Sequence, residues 1–322
     1  MTSPDLPGYA RRMIITLTVS SWLQVTGIPA SVDLQGLFFF NKDTGWVTGF
    51  VGNTALTEGW LLPTVDGGAT FSAQDAFVSG GGGIGDITFL SRTLGLAVGD
   101  SARILRTVDA GQSWAKIARD QLPVDSGVDF WRIAGTDSHT AVLIGTQGTI
   151  LRTTDSGLTW TRQVSNSPFS LGALSFTDSQ HGWIAGNRGF ILTTGDGGIT
   201  WQTQNSGTAL DLWGVSFVDN LHGWVVGEGG IALRTTDGGA TWEPLNSGTT
   251  FTLRNVCFVD SLYGWAVGFN GTVLHTRDGG DTWVKQETGV SNILFGVYFI
   301  DRNTGWITGN SGLALRTRSG GF

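Results

Sequence analysis

Cysteine is almost missing from this chain of 322 residues: Cys257 stands alone, which excludes an internal disulfide and a multi-cysteine metal site. Glutamate is limited to four residues, Glu58, Glu228, Glu243 and Glu287, and tyrosine to three, Tyr9, Tyr263 and Tyr298. That leaves little from which to build the tyrosine nucleophile and glutamate partner of a sialidase. Charged residues make up only 14%, and the net charge of −7 lacks the basic footprint a protein needs to displace counterions from nucleic acid. The same deficit removes a polybasic membrane patch. No run is apolar for long enough to span a bilayer. Arg11-Arg12 before Met13-Ile14-Ile15-Thr16-Leu17-Thr18-Val19 faintly resembles a signal-peptide core. Thr and Val there alternate with Leu and Ser, and the segment reads here as a strand or an extended arm.

What is present is glycine, at 50 residues, and tryptophan, at 14. Gly-rich turns between aromatic and β-branched segments describe an all-β protein. The phrase T-x-D-x-G-x-T-W recurs, with its aspartate at Asp66, Asp109, Asp155, Asp196, Asp237 and Asp278, the last four at intervals of 41 residues. A seventh copy, from Arg316 to Gly321, has Ser319 in the aspartate position. Ahead of each copy comes F-x-D, a short turn, then G-W-x-x-G, with pairs at Gly45-Trp46, Gly182-Trp183, Gly223-Trp224, Gly264-Trp265 and Gly305-Trp306; Leu96 and Ala141 take the Trp position in two divergent copies.

Each unit reads as four short antiparallel strands. Seven units of roughly 40 residues predict a seven-bladed β-propeller. The last copy stops inside its Asp-box turn, before its fourth strand. Trp22 stands alone near the N-terminus, 17 residues before Phe39, where Trp242 precedes Phe258 by 16. The N-terminal strand is therefore expected to complete the last blade and close the ring, leaving only protected edges. This gives one propeller domain over residues 20–322, with residues 1–19 as an N-terminal extension or arm.

The aspartates of the repeated phrase read as turn builders: a carboxylate accepts hydrogen bonds from turn N–H groups while glycine supplies the unusual backbone angles. Asp137, Asp178, Asp219, Asp260 and Asp301 read likewise as turn residues ending the first strand of their units. The repeated tryptophans read as packing between sheets, which leaves Trp60, Trp131 and Trp213 unassigned.

Two sets of residues are candidates for binding. Arg106, Arg152, Arg234 and Arg316 form a column three positions before the aspartate, with His275 in the same position; they suit an acidic partner, or equally stacking on aromatics or pairing with turn aspartates. The second set sits four positions before each inner-strand Phe, at the expected channel mouth: Gln35, Gly85, Gly172, Trp213, Arg254 and Phe295, with Trp131 equivalent by inspection. Tryptophan and arginine are the types most enriched in binding hot spots, so Trp131, Trp213, Arg254 and Phe295 are expected to form a partner-binding rim. Loops 72–86 and 115–130 are long enough to assist.

The repeated phrases, seen best from Phe217 to Trp242, resemble the photosystem II assembly-factor propeller family of plants and cyanobacteria and its bacterial relatives, over residues 20–321. Asp-boxes also occur in sialidases, xyloglucanases and sortilin-type receptors. The resemblance implies a non-enzymatic, exported assembly factor that works without cofactor or metal. Its partner would be another protein, a membrane-complex subunit or assembly intermediate, and its location the periplasm or thylakoid lumen. Family members carry an arginine-rich surface, and Arg106, Arg152, Arg234 and Arg316 occupy the matching motif position. Two alternatives remain open: a carbohydrate- or surface-binding subunit of an extracellular assembly, and a glycoside hydrolase using Asp86, Asp129 or Asp211, which enter inner strands.

Overall fold

A computed structural model describes residues 21–51, 58–72 and 82–322. The N-terminal extension, most of loop 72–86, Tyr9 and the Arg11–Val19 segment lie outside the described residues. Among the described residues the chain forms seven antiparallel sheets, and helix is confined to three short 3-10 turns. The unit read above at residues 213–247 is a sheet of Leu212–Phe217, Gly223–Gly227, Ala232–Thr235 and Glu243–Leu245, running from the innermost strand to the outermost. Call it blade 5. The innermost strands of the others begin at Val32 (blade 1), Ile84 (2), Phe130 (3), Leu171 (4), Leu253 (6) and Leu294 (7). Each innermost strand packs on the next, and the seventh packs on the first, so the ring is closed. Blade 1 has three strands among the described residues.

Blade 7 draws its outer strand from the opposite end of the chain. Leu23–Gln24 pairs antiparallel with Ala314–Thr317, Leu23 opposite Arg316. Trp22 anchors this strand. It is buried, donates from Nε1 to Gln286 Oε1 at 3.0 Å, and meets Phe299 edge-on at 5.9 Å.

The Asp-box turn repeats its bonds from blade to blade. In blade 5, Thr235 donates its hydroxyl to Asp237 at 2.8 Å, and Asp237 accepts the Thr241 N–H at 2.9 Å and the Thr241 hydroxyl at 2.6 Å. Equivalent bonds surround Asp66, Asp109, Asp155, Asp196 and Asp278. The hydroxyl bonds of Ser113 and Thr241 lead in holding Asp109 and Asp237 down to about 2. The glycine two places after each turn aspartate has positive φ, and a β-carbon on Gly111 would stand 2.4 Å from the Trp46 ring. Turn and inter-blade packing are thus one structure. Trp183, Trp224 and Trp265 stack at 3.6 Å on Phe217, Phe258 and Phe299 of the next blade. Their indole N–H groups donate to the next Asp-box at Gly238, Gly279 and Gly320.

The arginine column reinforces the same joints. Arg106 Nε donates to Ser156 O and Arg152 Nε to Gly197 O, both at 2.8 Å. Arg234 reaches Gly279 O at 3.3 Å and pairs with Asp281 and Glu243, and Arg316 reaches Asp66 O at 3.5 Å. All of these bonds cross to the Asp-box turn of the next blade except the pair with Glu243, which lies in the outer strand of blade 5 itself. In blade 6 His275 takes this place, pressed against Trp265 and Phe322.

Candidate functional site

The two faces of the ring differ in their loops. Asp-box turns share one face with the turns between first and second strands, as the bond from Gly67 N–H to Asp43 O records. On the other face, the loops feeding the innermost strands meet the turns between second and third strands. Asp33, Asp129 and Asp211 accept the N–H groups of Ser311, Ser101 and Arg188 there, each from the preceding blade.

On this second face every innermost strand carries a register shift. Leu212 pairs with Gly227 and Gly214 with Val226, so Trp213 has no partner of its own. The same shift leaves out Gly172, Arg254, Phe295, Gly85 and Trp131, and in blade 1 it spans Gln35 and Gly36. These are β-bulges, which insert an unpaired residue and re-aim its side chain. All seven residues found by counting back from the inner-strand Phe, or by inspection in blade 3, are bulge residues, and all seven line one hollow of about 350 Å³ at the channel mouth.

The hollow is lopsided. Gly172 has no side chain, so Trp131 of blade 3 and Trp213 of blade 5 meet across blade 4 with ring centroids 6.1 Å apart. Arg254 of blade 6 lies over the Trp213 ring at 4.3 Å and near Phe295 of blade 7 at 5.9 Å. The result is an arc of aromatic and cationic groups over five consecutive blades. Gln35, Gly83, Gly85, Phe50, Asp100, Phe130 and Arg132 complete the wall. Outside the arc, Leu210, Phe251 and Phe269 are exposed on the same face.

Arg132 follows the bulge residue of blade 3 and borders both this hollow and a smaller one of about 140 Å³ deeper in the channel. Burial, and then the like charge of Arg132, push the Arg254 guanidinium down to about 10. Asp86 lines the deeper hollow and accepts the Ile133 N–H at 3.0 Å. Burial pushes its carboxyl up to about 6, against the pull of Arg132. Burial also raises Asp100, which holds the Gly83 N–H at 2.7 Å. Sequence reasoning missed Arg132. Its one signal is its place directly after a bulge residue, in a strand without the Phe that marks the others.

The structure does not bring the hydrolase candidates together. Asp129 and Asp211 are each bound to a backbone N–H of a neighbouring blade, and only Asp86 faces the channel. The Tyr298 hydroxyl donates to Phe39 O at 3.3 Å, and no glutamate lines either hollow. Among the described residues no helix is long and apolar enough to cross a membrane.

The family model described as "Photosynthesis system II assembly factor YCF48" matches residues 15–173, 169–251 and 241–322. No curated protein matches. Of solved structures, one described as "YCF48 bound to D1 peptide" is 24% identical, with a TM-score of 0.76 over 94% of this chain and 96% of its own. Another, YCF48 from Cyanidioschyzon merolae, is 20% identical, with a TM-score of 0.73 over 93% of this chain and 99% of its own.

Proposed function

This chain belongs to the photosynthesis system II assembly factor family, and on that footing we propose that it is a non-catalytic docking protein that holds a segment of a membrane-complex subunit during assembly. The segment docks at the channel mouth, on the face opposite the Asp-box turns. The observation that carries this is the arc of Trp131, Trp213, Arg254 and Phe295, half-buried side chains set side by side by bulges. Half-buried aromatic and arginine side chains around a concavity are what binding hot spots consist of. The exposed Leu210, Phe251 and Phe269 extend the apolar surface beyond it.

The arginine column is a weaker candidate for the same task. Its guanidinium groups already bond carbonyls of the next blade. Carbohydrate binding is weaker too, because Arg254 already covers a face of Trp213 on which a sugar ring would stack. A solved family member is described with a bound D1 peptide, so overlapping D1 peptides are the first ligands to test. Immobilised chain is expected to retain one or more of them and to lose them on Trp213→Ala. Retention by a glycan array with no peptide bound would overturn the reading.

A further inference from the structure

Two cations open into the mouth, and among the described residues no carboxylate forms an ion pair with either. Among the described residues neither Arg254 nor Arg132 makes an ion pair; Arg254 donates no hydrogen bond, and Arg132 donates only to the Trp131 carbonyl at 3.0 Å. Asp86 feels the Arg132 charge across the deeper hollow but accepts a hydrogen bond from the Ile133 N–H, and Asp100 accepts one from the Gly83 N–H. Burying the Arg254 guanidinium is unfavourable, and the like charge of Arg132 adds to the cost; its lowered proton affinity records both, burial first. The Arg254 guanidinium lies over the Trp213 ring at 4.3 Å and donates no hydrogen bond, so its N–H groups remain for an acceptor, in the fork geometry that fits a carboxylate.

The apolar part of the site is equally specific. Trp131 and Trp213 tilt toward each other by 36° over Gly172. Gly83 and Gly85 line the same hollow, packed against Phe50 and against the Phe130 and Trp131 backbone. A hollow of about 350 Å³ is at the lower end of ligand pockets, so it suits a small part of a polypeptide.

We propose that the channel mouth recognises a polypeptide carboxylate beside an apolar side chain, the carboxylate bridging Arg254 and Arg132 and the apolar group resting on Trp131 and Trp213. This rests on the docking reading above and specifies its chemistry. The carboxylate has two sources, a chain terminus or an acidic side chain, and both present the same group to the arginines.

The test uses the full chain in titration calorimetry with three probes: acetyl-Ala-Ala-Leu-Phe as the free acid, the same peptide as its amide, and acetyl-Ala-Glu-Leu-Phe-amide. At least one carboxylate-bearing probe is expected to bind about tenfold or more tighter than the neutral amide. Preference for the free acid assigns the chain terminus, and preference for the glutamate peptide assigns the side chain. Arg254→Gln is expected to abolish the preference without moving the melting temperature, and Arg254→Lys to restore part of it. Equal binding of all three probes, or binding of none, overturns the carboxylate inference. The docking reading then stands if Trp213→Ala still loses a D1 peptide that the unmodified chain binds, and falls with it if Trp213→Ala binds that peptide normally.

Discussion

The Trp306 indole lies face to face on the Phe39 ring, centroids 3.6 Å apart and planes 11° from parallel, so residues near opposite ends of the chain make the same stack as neighbours within it. Trp306 Nε1 also donates to Gly67 O at 2.8 Å, as its counterparts do to their own next blades. The seam between blades 7 and 1 is therefore built like the junctions between blades 4 and 5, 5 and 6, and 6 and 7. What distinguishes blade 7 is the Ser319 that stands in place of the turn aspartate and the origin of its outer strand.

That origin makes Trp22 the side chain to remove. Trp22→Ala is expected to lower stability by about 3–5 kcal/mol, the usual range for a buried tryptophan. The exposed Leu23→Ala should stay within about 0.5 kcal/mol. Deleting residues 21–31 should cost more than Trp22→Ala, because it bares the edge of Ala314–Thr317. Urea unfolding followed by circular dichroism measures all three. A deletion that unfolds like the full chain would mean that strand closure contributes nothing.

Rim and column should separate in a paired assay of binding and melting. Trp213→Ala and Arg254→Ala are expected to weaken partner binding by about 1–2 kcal/mol or more each and leave the melting temperature nearly unchanged. Arg152→Ala and Arg234→Ala should do the reverse, since their bonds join blades. If the column variants abolish binding and the rim variants bind normally, the partner sits on the column instead.

Two buried groups give opposing pH slopes. Asp86 titrates at about 6 in the folded chain. From about pH 4 to 6 the folded chain keeps a proton there that the unfolded chain has released, so this group's contribution falls as pH rises. Buried His275 is pushed down to about 4 by burial and by Arg277. There the unfolded chain takes up a proton that the folded chain refuses, so its contribution rises with pH. Asp86 is walled in by protein yet opens on the channel, where water screens it. Asp86→Asn is therefore expected to stabilise the chain at about pH 7 by roughly 1–2 kcal/mol, with the gain vanishing near pH 4. A gain that is constant with pH would refute the raised carboxyl.

Catalysis should be absent. Chromogenic sialidase and endoglycanase substrates are expected to show no turnover above background, given that Asp129 and Asp211 already serve backbone N–H groups. Turnover that disappears on Asp86→Asn, Asp129→Asn or Asp211→Asn would establish an enzyme.

The blade count, the closing strand and the packing of the repeated Trp and Asp were legible because each is a pattern within one stretch of sequence, repeated. The arginine column was harder to read. Its acceptors are mostly backbone carbonyls of another blade, and no side chain in the sequence marks them. The mouth residues could be found by their distance from Phe, but not the reason they converge. A bulge is a relation between two strands, and the periodicity of one strand does not show it. Arg132 stayed hidden for a related reason, in a blade that lacks the Phe from which to count.

Because a bulge residue has no cross-strand partner, the stacks of Trp on Phe and the Asp-box turns hold the ring together whatever occupies its place. Gln35, Gly85, Trp131, Gly172, Trp213, Arg254 and Phe295 amount to a seven-letter word written on a scaffold indifferent to its spelling. On the docking proposal, recognition would be rewritten one blade at a time, without renegotiating the fold.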